Sequence, residues 1–232
     1  MTLAEMTDLL GLRMEDSAQT SFPLATKIKA LNVAQRTAAN FLDEAYLTEL
    51  EVQDVVGLTG LSSSTAYFFL DGTGAALHSA NIPLRNSIRQ VQVSHATGVY
   101  KYCVMIPFSD VKKLENSYLA YGTDNPVAWV WGTRLYVRPI TTDLAHLSLY
   151  YLKEPTAMES SGPTNSILNV SLHEIIVDFA ESQLWRMDNK VDRATAAYSS
   201  AMESIKMLNQ RYVVEAPIGI GTQSDRQVPG VV

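Results

Sequence analysis

The sequence has a single cysteine and no long hydrophobic run. Because Cys103 is the only cysteine among 232 residues, an intramolecular disulfide and a cysteine-based metal cluster are excluded. Its thiol lies in an apolar stretch, where we expect it to be buried and unreactive. No stretch approaches the roughly 18 apolar residues of a spanning helix, and residues 1–5 lack the basic and apolar regions of a signal peptide. We therefore expect a protein made in the cytoplasm, without membrane association.

Basic charge is also sparse. The chain has 18 Lys and Arg against 24 Asp and Glu, a formal net charge of −6, and its densest basic cluster is the pair Lys112-Lys113. A protein whose main task is to hold a phosphate backbone needs clustered basic side chains. The composition therefore argues against that task, although an acidic balance suits a surface along which nucleic acid slides without sticking.

Motifs for catalysis and metal binding are incomplete. His173-Glu174 begins like a zinc-binding HExxH, but Val177 stands where the second His is required. Residues 71–74 are rich in Gly but lack the Lys of a phosphate loop, so a hairpin turn is the simpler interpretation. The four histidines lie in different segments with no partner four residues away. We expect no catalytic residue, no metal ligand, no cofactor and no enzyme activity.

Both ends of the chain have helical patterns. Thr2 and Glu5 have the spacing of a capping box and predict a helix over residues 2–14. Apolar spacing predicts a longer helix over residues 22–48, with Pro23 in its first turn. Together these segments predict a helical region at the start of the chain.

Near the other end, Ser171 and Glu174 predict a second capping box, which opens a helix that breaks at Asp188-Asn189. A 3-4-3-4 apolar spacing from Val191 to Tyr212 then predicts a helix packed along its length against other helices.

The middle of the chain has the pattern of a β region. Gly and Pro punctuate it at strand-length intervals, and Val91 and Val93 alternate with polar neighbours. The segments predicted to form strands are 66–70, 88–95, 99–108, 127–131, 135–140 and 144–152.

These patterns predict an α+β fold, in which a helical bundle of N- and C-terminal helices carries an inserted antiparallel β domain and an extended C-terminal arm. The predicted divisions are residues 1–48 and 166–213 for the bundle, 49–165 for the β domain and 214–232 for the arm. The arm combines turn residues with apolar ones, which is expected of a segment that docks on a neighbour. A frayed terminus accounts for the same composition. The residues predicted to bind a partner are Val214, Pro217, Ile218, Ile220, Val228 and Pro229.

Three stretches resemble the head-to-tail adaptor (connector) proteins of tailed bacteriophages. Residues 30–36, Ala-Leu-Asn-Val-Ala-Gln-Arg, are similar to the LNxAQ stretch of the family's second helix. Residues 131–139 and 147–155 are similar to two of its strands, the second of which ends in Tyr-Tyr-x-x-x-Pro. The third stretch is residues 173–186 with the helix that follows. The resemblance covers most of residues 2–213.

The resemblance implies a structural virion protein of the head–tail interface. About twelve copies would form a ring beneath the portal, with a lumen that continues the DNA channel and without specific DNA binding. The implied partners are the portal protein, a tail or nozzle protein and further copies of the chain.

Three alternatives stay open at this point. Trp129 and Trp131 lie in an aromatic β region that is also compatible with a carbohydrate- or ligand-binding module. A hydrolase built on Asp71, His95 or His146 lacks a visible nucleophile–base pair. Another tail-completion protein of the virion would differ only in its position along the tail axis.

Overall fold

The computed structural model describes residues 1–57, 67–70, 82–95, 98–114, 121–139, 144–160 and 165–215. Its helices are α1 (Leu3–Arg13), α2 (Leu24–Phe41), α3 (His173–Met187) and α4 (Val191–Glu215). Its strands are β1 (Glu51–Gly57), β2 (Tyr67–Phe69), β3 (Pro83–His95), β4 (Tyr100–Tyr102), β5 (Val104–Met105), β6 (Val127–Trp131), β7 (Arg134–Arg138) and β8 (Leu144–Lys153). The predicted mixed fold, with helices at both ends and antiparallel sheets between them, is confirmed. The predicted domain divisions stay a prediction.

The first helix begins as its sequence predicts. Glu5 N donates to Thr2 Oγ1 at 3.2 Å, and Thr2 N donates to Glu5 Oε2 at 2.7 Å, which completes the capping box. Met6 and Leu10 are fully buried on one face of α1. Local sequence alone therefore determines where α1 starts and which face it buries.

One buried carboxylate organises the linker between α1 and α2. Asp16 accepts hydrogen bonds from Thr20 N (2.8 Å), Ser21 N (3.0 Å) and Phe22 N (2.9 Å). Lys27 Nζ lies 3.3 Å from Asp16 Oδ2 and donates to the Asp16 carbonyl at 2.8 Å, and both charged side chains are almost completely buried. The hydrogen bonds from Ser21 N, Phe22 N and Thr20, together with Lys27, hold the Asp16 pKa well below its ordinary value, although burial opposes this. The linker is therefore part of the core.

The predicted helix over 22–48 is wrong at its C-terminal end, because α2 ends at Phe41. Asn209 of α4 donates from Nδ2 to Phe41 O at 3.0 Å and accepts at Oδ1 from Asp43 N at 2.9 Å. The Asp43 carboxylate in turn accepts from Ala45 N and starts a 3₁₀ turn. Contacts with α4 therefore complete the end of this helix.

Arg85 of β3 binds the same helix end. Its Nη1 donates to Asn40 O at 2.9 Å, and Arg85 has a positive φ of 52°. The chain then passes through two 3₁₀ turns, Glu44–Tyr46 and Thr48–Leu50, before β1 begins. Because the residues that bind the end of α2 come from β3 and α4, the apolar spacing of residues 22–48 does not indicate where the helix ends.

The start of α3 also differs from its prediction. Asn169 Oδ1 accepts from Ser171 N at 3.0 Å and from the Ser171 hydroxyl at 2.9 Å, and a 3₁₀ turn, Val170–Leu172, leads into α3. The predicted capping box of Ser171 and Glu174 is therefore wrong, because Asn169 has taken the capping role. The predicted break between α3 and α4 is confirmed, with Asn189 in the left-handed region at φ 58°.

The four helices share one hydrophobic core. The predicted stripe of α4 is buried or half-buried from Ala194 to Leu208, but Val191 is 67% exposed, so the stripe does not pack along its whole predicted length. Leu84 of β3 and Leu152 of β8 enter the same core. The helices and the first sheet are therefore joined by shared side-chain packing.

The strands form two four-stranded sheets. Sheet A has the order β1-β8-β3-β4 and is antiparallel throughout. Sheet B has the order β2-β7-β6-β5, in which the β5–β6 pair is parallel and departs from the predicted antiparallel pattern. β1 was not among the predicted strands, and the predicted strand over 99–108 is divided at Cys103, where the chain crosses from sheet A to sheet B.

The two sheets pack face to face. Apolar side chains of sheet A and of sheet B meet in a second core, which contains Phe68, Leu70, Val91, Val93, Ala128, Leu135, Val137, Leu147, Leu149 and Tyr151. A third, smaller cluster of Leu114, Val127 and Trp129 lies against the other face of sheet B. Sheet B is therefore covered on both faces over part of its area.

We predict that Asp16→Asn destabilises the fold clearly more than Asp188→Asn does. The first variant leaves the Lys27 ammonium buried without a carboxylate, whereas Asp188 forms an exposed pair with Lys190. Thermal unfolding followed by circular dichroism measures both.

Comparison of the wild-type chain with Asp16→Asn tests the pH dependence of stability. The contribution of Asp16 is complete above the ordinary carboxyl pKa of about 3.9 and is lost as the pH falls from there towards the lower pKa of the folded state. The difference in stability between the wild-type chain and Asp16→Asn should therefore shrink below about pH 4. A difference that stays constant from pH 7 to pH 3 would contradict the assignment.

Candidate interaction surfaces

The described residues assemble no recognisable catalytic or metal centre. Within them, no group of three or more His, Cys, Asp and Glu side chains is placed to hold a metal ion. His173 is buried, and its Nε2 lies 3.0 Å from Leu168 O, so it supports the turn before α3. His146 is exposed on β8, Asp71 and His78 lie outside the described residues, and His95 ends β3. Burial raises the pKa of the Cys103 thiol to about 12, which keeps it protonated and unreactive near neutral pH.

The LNxAQ stretch joins α2 to the segment that follows β8. Asn32 Nδ2 donates to Met158 O at 2.9 Å, and Met158 N donates to Asn32 Oδ1 at 2.7 Å. One turn further, Gln35 Nε2 donates to Thr156 O at 3.0 Å. Leu31, the residue before Asn32, is fully buried in the helical core. Two side-chain amides therefore pair with an extended backbone much as a neighbouring strand would.

A polar groove of about 900 Å³ runs between α3 and α4. Arg13 of α1 forms an ion pair with Asp178 and lies 3.5 Å from Glu181 Oε2. Trp185 Nε1 donates to Glu181 Oε1 at 3.0 Å, and the Arg193 guanidinium lies 4.8 Å from the Trp185 ring centre. Since Arg13 of α1 pairs with Asp178 and Glu181 of α3, and Arg193 of α4 lies over Trp185 of α3, we interpret this groove as a link between α1, α3 and α4.

Aromatic rings line one face of sheet B. Trp129 stacks on Tyr136 with ring centres 5.4 Å apart, and Phe108 stacks on Trp131 at 5.3 Å. The two tryptophans differ in exposure, because Trp129 is 6% exposed whereas Trp131 is 56% exposed. Trp129 is therefore a packing residue of the small third core, and a binding site that uses both rings together would require repacking.

The outermost strands β4 and β5 present apolar side chains to solvent. Tyr102 is 66% exposed and Val104 is 57% exposed, whereas Cys103 between them is half-buried. We define the aromatic edge as the exposed apolar residues of this region, namely Val99, Tyr100, Tyr102, Val104, Met105, Phe108 and Trp131. Exposed apolar patches mark contacts with proteins or membranes, or ligand-binding grooves, and we interpret this one as a candidate protein–protein contact. The sequence predicts that Tyr100, Tyr102 and Val104 share one side of the strand, but the two-residue period alone does not indicate whether that side faces solvent or the core.

The predicted partner-binding residues lie at or beyond the end of the described chain. α4 extends to Glu215, so Val214 belongs to this helix and not to an extended arm. Pro217, Ile218, Ile220, Val228 and Pro229 lie outside the described residues. Among the described helices, none is both long enough and apolar enough to cross a membrane.

We predict that Trp129→Ala and Trp131→Ala have unequal effects on stability. Loss of the buried Trp129 should reduce the free energy of unfolding by about 3–5 kcal/mol, whereas loss of the exposed Trp131 should cost about 1 kcal/mol or less. Urea denaturation followed by circular dichroism measures both. Equal, small effects would contradict the assignment of Trp129 to the core.

We also predict that Asn32→Ala lowers the free energy of unfolding by about 1–3 kcal/mol, because both backbone groups of the buried Met158 lose their partner. Thr37→Ala is the matched control on the same helix, since its hydroxyl bonds only to Val33 O one turn away. It should change stability by about 0.5 kcal/mol or less. Equal losses of unfolding free energy in the two variants would show that the hydrogen bonds between Asn32 and Met158 add nothing to stability.

Comparison with known proteins agrees with the resemblance found in the sequence. No curated protein matches the chain. The model of a protein family described as SU10 adaptor protein matches residues 1–221, which include every residue that the structure describes. The match confirms the predicted relationship to phage head-to-tail adaptors. The chain belongs to the SU10 adaptor protein family.

Proposed function

We propose that the protein is a head-to-tail adaptor subunit whose copies form a ring between the portal and the tail of a virion. The family match over residues 1–221 is the observation that carries this proposal. An adaptor is a structural part of the virion that contacts portal and tail proteins, and this class has no need of a catalytic centre. The incomplete catalytic motifs of the sequence are compatible with that class.

A closed ring sets a physical requirement on each subunit. Identical copies related by a rotation meet through two different surfaces, which must be complementary to each other. In our proposal about twelve copies meet in this way, with the helices packed around the ring and the β region directed towards the tail. The aromatic edge supports this proposal because it is exposed apolar surface in the isolated chain.

The charge of the chain supports a lumen through which DNA passes. A net charge of −6 gives weak overall attraction for a phosphate backbone. Strong contacts would have to be broken at every step of DNA movement, and each phosphate contact adds to affinity. In our proposal the ring therefore continues the DNA channel without specific binding.

The C-terminal segment is the proposed contact with the portal. It follows α4 directly and combines Ile218, Ile220 and Val228 with Pro and Gly residues. Such a segment can order on a partner surface without forming a regular element of its own.

We predict that a chain truncated after Glu215 folds like the full chain but no longer binds the portal protein of the same virion. The cut leaves α4 complete, so the unfolding temperature should stay within about 2 °C, while recovery with immobilised portal should fall at least tenfold. Substitution of the exposed Leu12 by Ser provides the control, because it removes apolar surface elsewhere. A truncated chain that binds the portal as well as the full chain would contradict the role of the segment.

A further inference from the structure

The charges of this chain are distributed unevenly along its sequence. Residues 37–84 contain Asp43, Glu44, Glu49, Glu51, Asp54 and Asp71 but no Lys or Arg. Residues 90–139 have the opposite balance, with five basic and three acidic side chains. A chain of net negative charge therefore contains one acidic and one basic region, in consecutive parts of its sequence.

The acidic region forms a face beside β1. We define the acidic face as Asp43, Glu44, Glu49 and Glu51, which are all exposed. Arg89 lies between two of them, 3.4 Å from Glu44 Oε2 and paired with Glu51, so this cation neutralises only part of the face. Val55 of β1 is 52% exposed and adds an apolar side chain.

The basic region surrounds the aromatic edge. Lys101 lies on β4 between the exposed Tyr100 and Tyr102, and Lys112 and Lys113 follow Phe108 in the turn after β5. Lys101 pairs with Asp124 and Lys113 pairs with Asp110 at 2.7 Å. Lys112 is exposed, so the described part of this rim has three lysines against two aspartates, an excess of one positive charge.

In sheet A these two surfaces adjoin different outer strands. The strand order of this sheet is β1-β8-β3-β4, so the acidic face adjoins one outer strand and the aromatic edge the other. Three spacings of about 4.8 Å separate β1 from β4. Two different and oppositely charged surfaces on opposite edges meet the requirement for a head-to-tail contact between identical chains.

We propose that the aromatic edge of one copy docks on the acidic face of the next copy. This inference deepens the proposed ring function and rests on it. The occupant is a second copy and not a different protein, because the chain itself carries the complementary charge on its opposite edge. Burial of Tyr102, Val104, Phe108 and Trp131 supplies most of the affinity, and the charges select the orientation.

The strand directions at the two edges of sheet A are also compatible with this contact. The strands of sheet A alternate in direction from β1 to β4, so β4 runs opposite to β1. When a second copy is placed beside the first in the same orientation, its β1 lies antiparallel to β4 of the first. The docked edge can therefore approach the neighbour in the commoner pairing sense.

The test combines assembly with cross-linking in the full chain. Equal amounts of ¹⁵N-labelled and unlabelled protein, alone and with the portal protein, are treated with a zero-length carbodiimide that joins Lys to Asp or Glu. Mass spectrometry then identifies links between labelled and unlabelled chains. We expect such links between Lys101, Lys112 or Lys113 and the carboxylates of the acidic face.

Variants of the two surfaces test whether ring formation depends on this interface. Tyr102→Ser with Lys112→Glu should weaken assembly at least tenfold, and Glu49→Lys should weaken it by a smaller factor. A mixture of these two proteins should restore contact and stop at pairs, since the intact aromatic edge of the Glu49 variant can dock on the intact acidic face of the Tyr102 variant, whereas the other two surfaces are both altered. Leu12→Ser with Lys29→Glu is the matched control, because both residues are exposed on α1 and α2.

Three other outcomes would each contradict a specific part of the proposal, namely the interface, its occupant or the ring. If rings form but their cross-links lie elsewhere, and the Tyr102 variant assembles like the wild-type chain, this interface is wrong and the ring stands. If a different protein binds the aromatic edge while copies do not meet there, the second copy is the wrong occupant. If no assembly forms alone or on the portal, both the interface and the proposed ring are overturned.

Discussion

The arrangement of the whole molecule depends on how α2 is held along its length. Asn32 and Gln35 bind the backbone of the segment after β8, and Asn209 binds both backbone groups at the end of the helix. Arg85 adds a contact from β3. A helix that offered only apolar side chains could slide or rotate against its neighbours, whereas directional hydrogen bonds to fixed backbone groups permit one position. The relation between the helices and sheet A follows from these contacts.

This anchoring has a consequence for function. The helical core contains side chains from β3 and β8, so force applied to the sheets is transmitted to the helices through packed residues. A protein that connects two larger assemblies needs such continuity more than it needs a cavity. The polar groove between α3 and α4 agrees with this view, because Arg13 binds Asp178 and Glu181 there.

The sequence predicts this fold where the determining contacts are local. Thr2 and Glu5 are three residues apart, and the start of α1 is correct. The predicted end of α2 is wrong because the residues that bind this end, Asn209 and Arg85, are distant in sequence. The predicted start of α3 is wrong because Asn169 and Ser171 are both suitable capping residues, and Asn169 takes the role. Strand period locates most of the β region but assigns no outer side, so Trp129 and Trp131 look equivalent in sequence and differ in burial. The predicted arm beyond Glu215 stays a prediction, whereas the aromatic edge emerges only from three-dimensional exposure.

The central claim is that copies of this chain close into a ring on the portal. Electron microscopy of the full chain mixed with the portal protein of the same virion tests the claim most directly. The account predicts portal particles that gain a ring of about a dozen copies, with the β regions directed away from the portal. Portal particles that stay unchanged in the presence of excess, folded protein would contradict it.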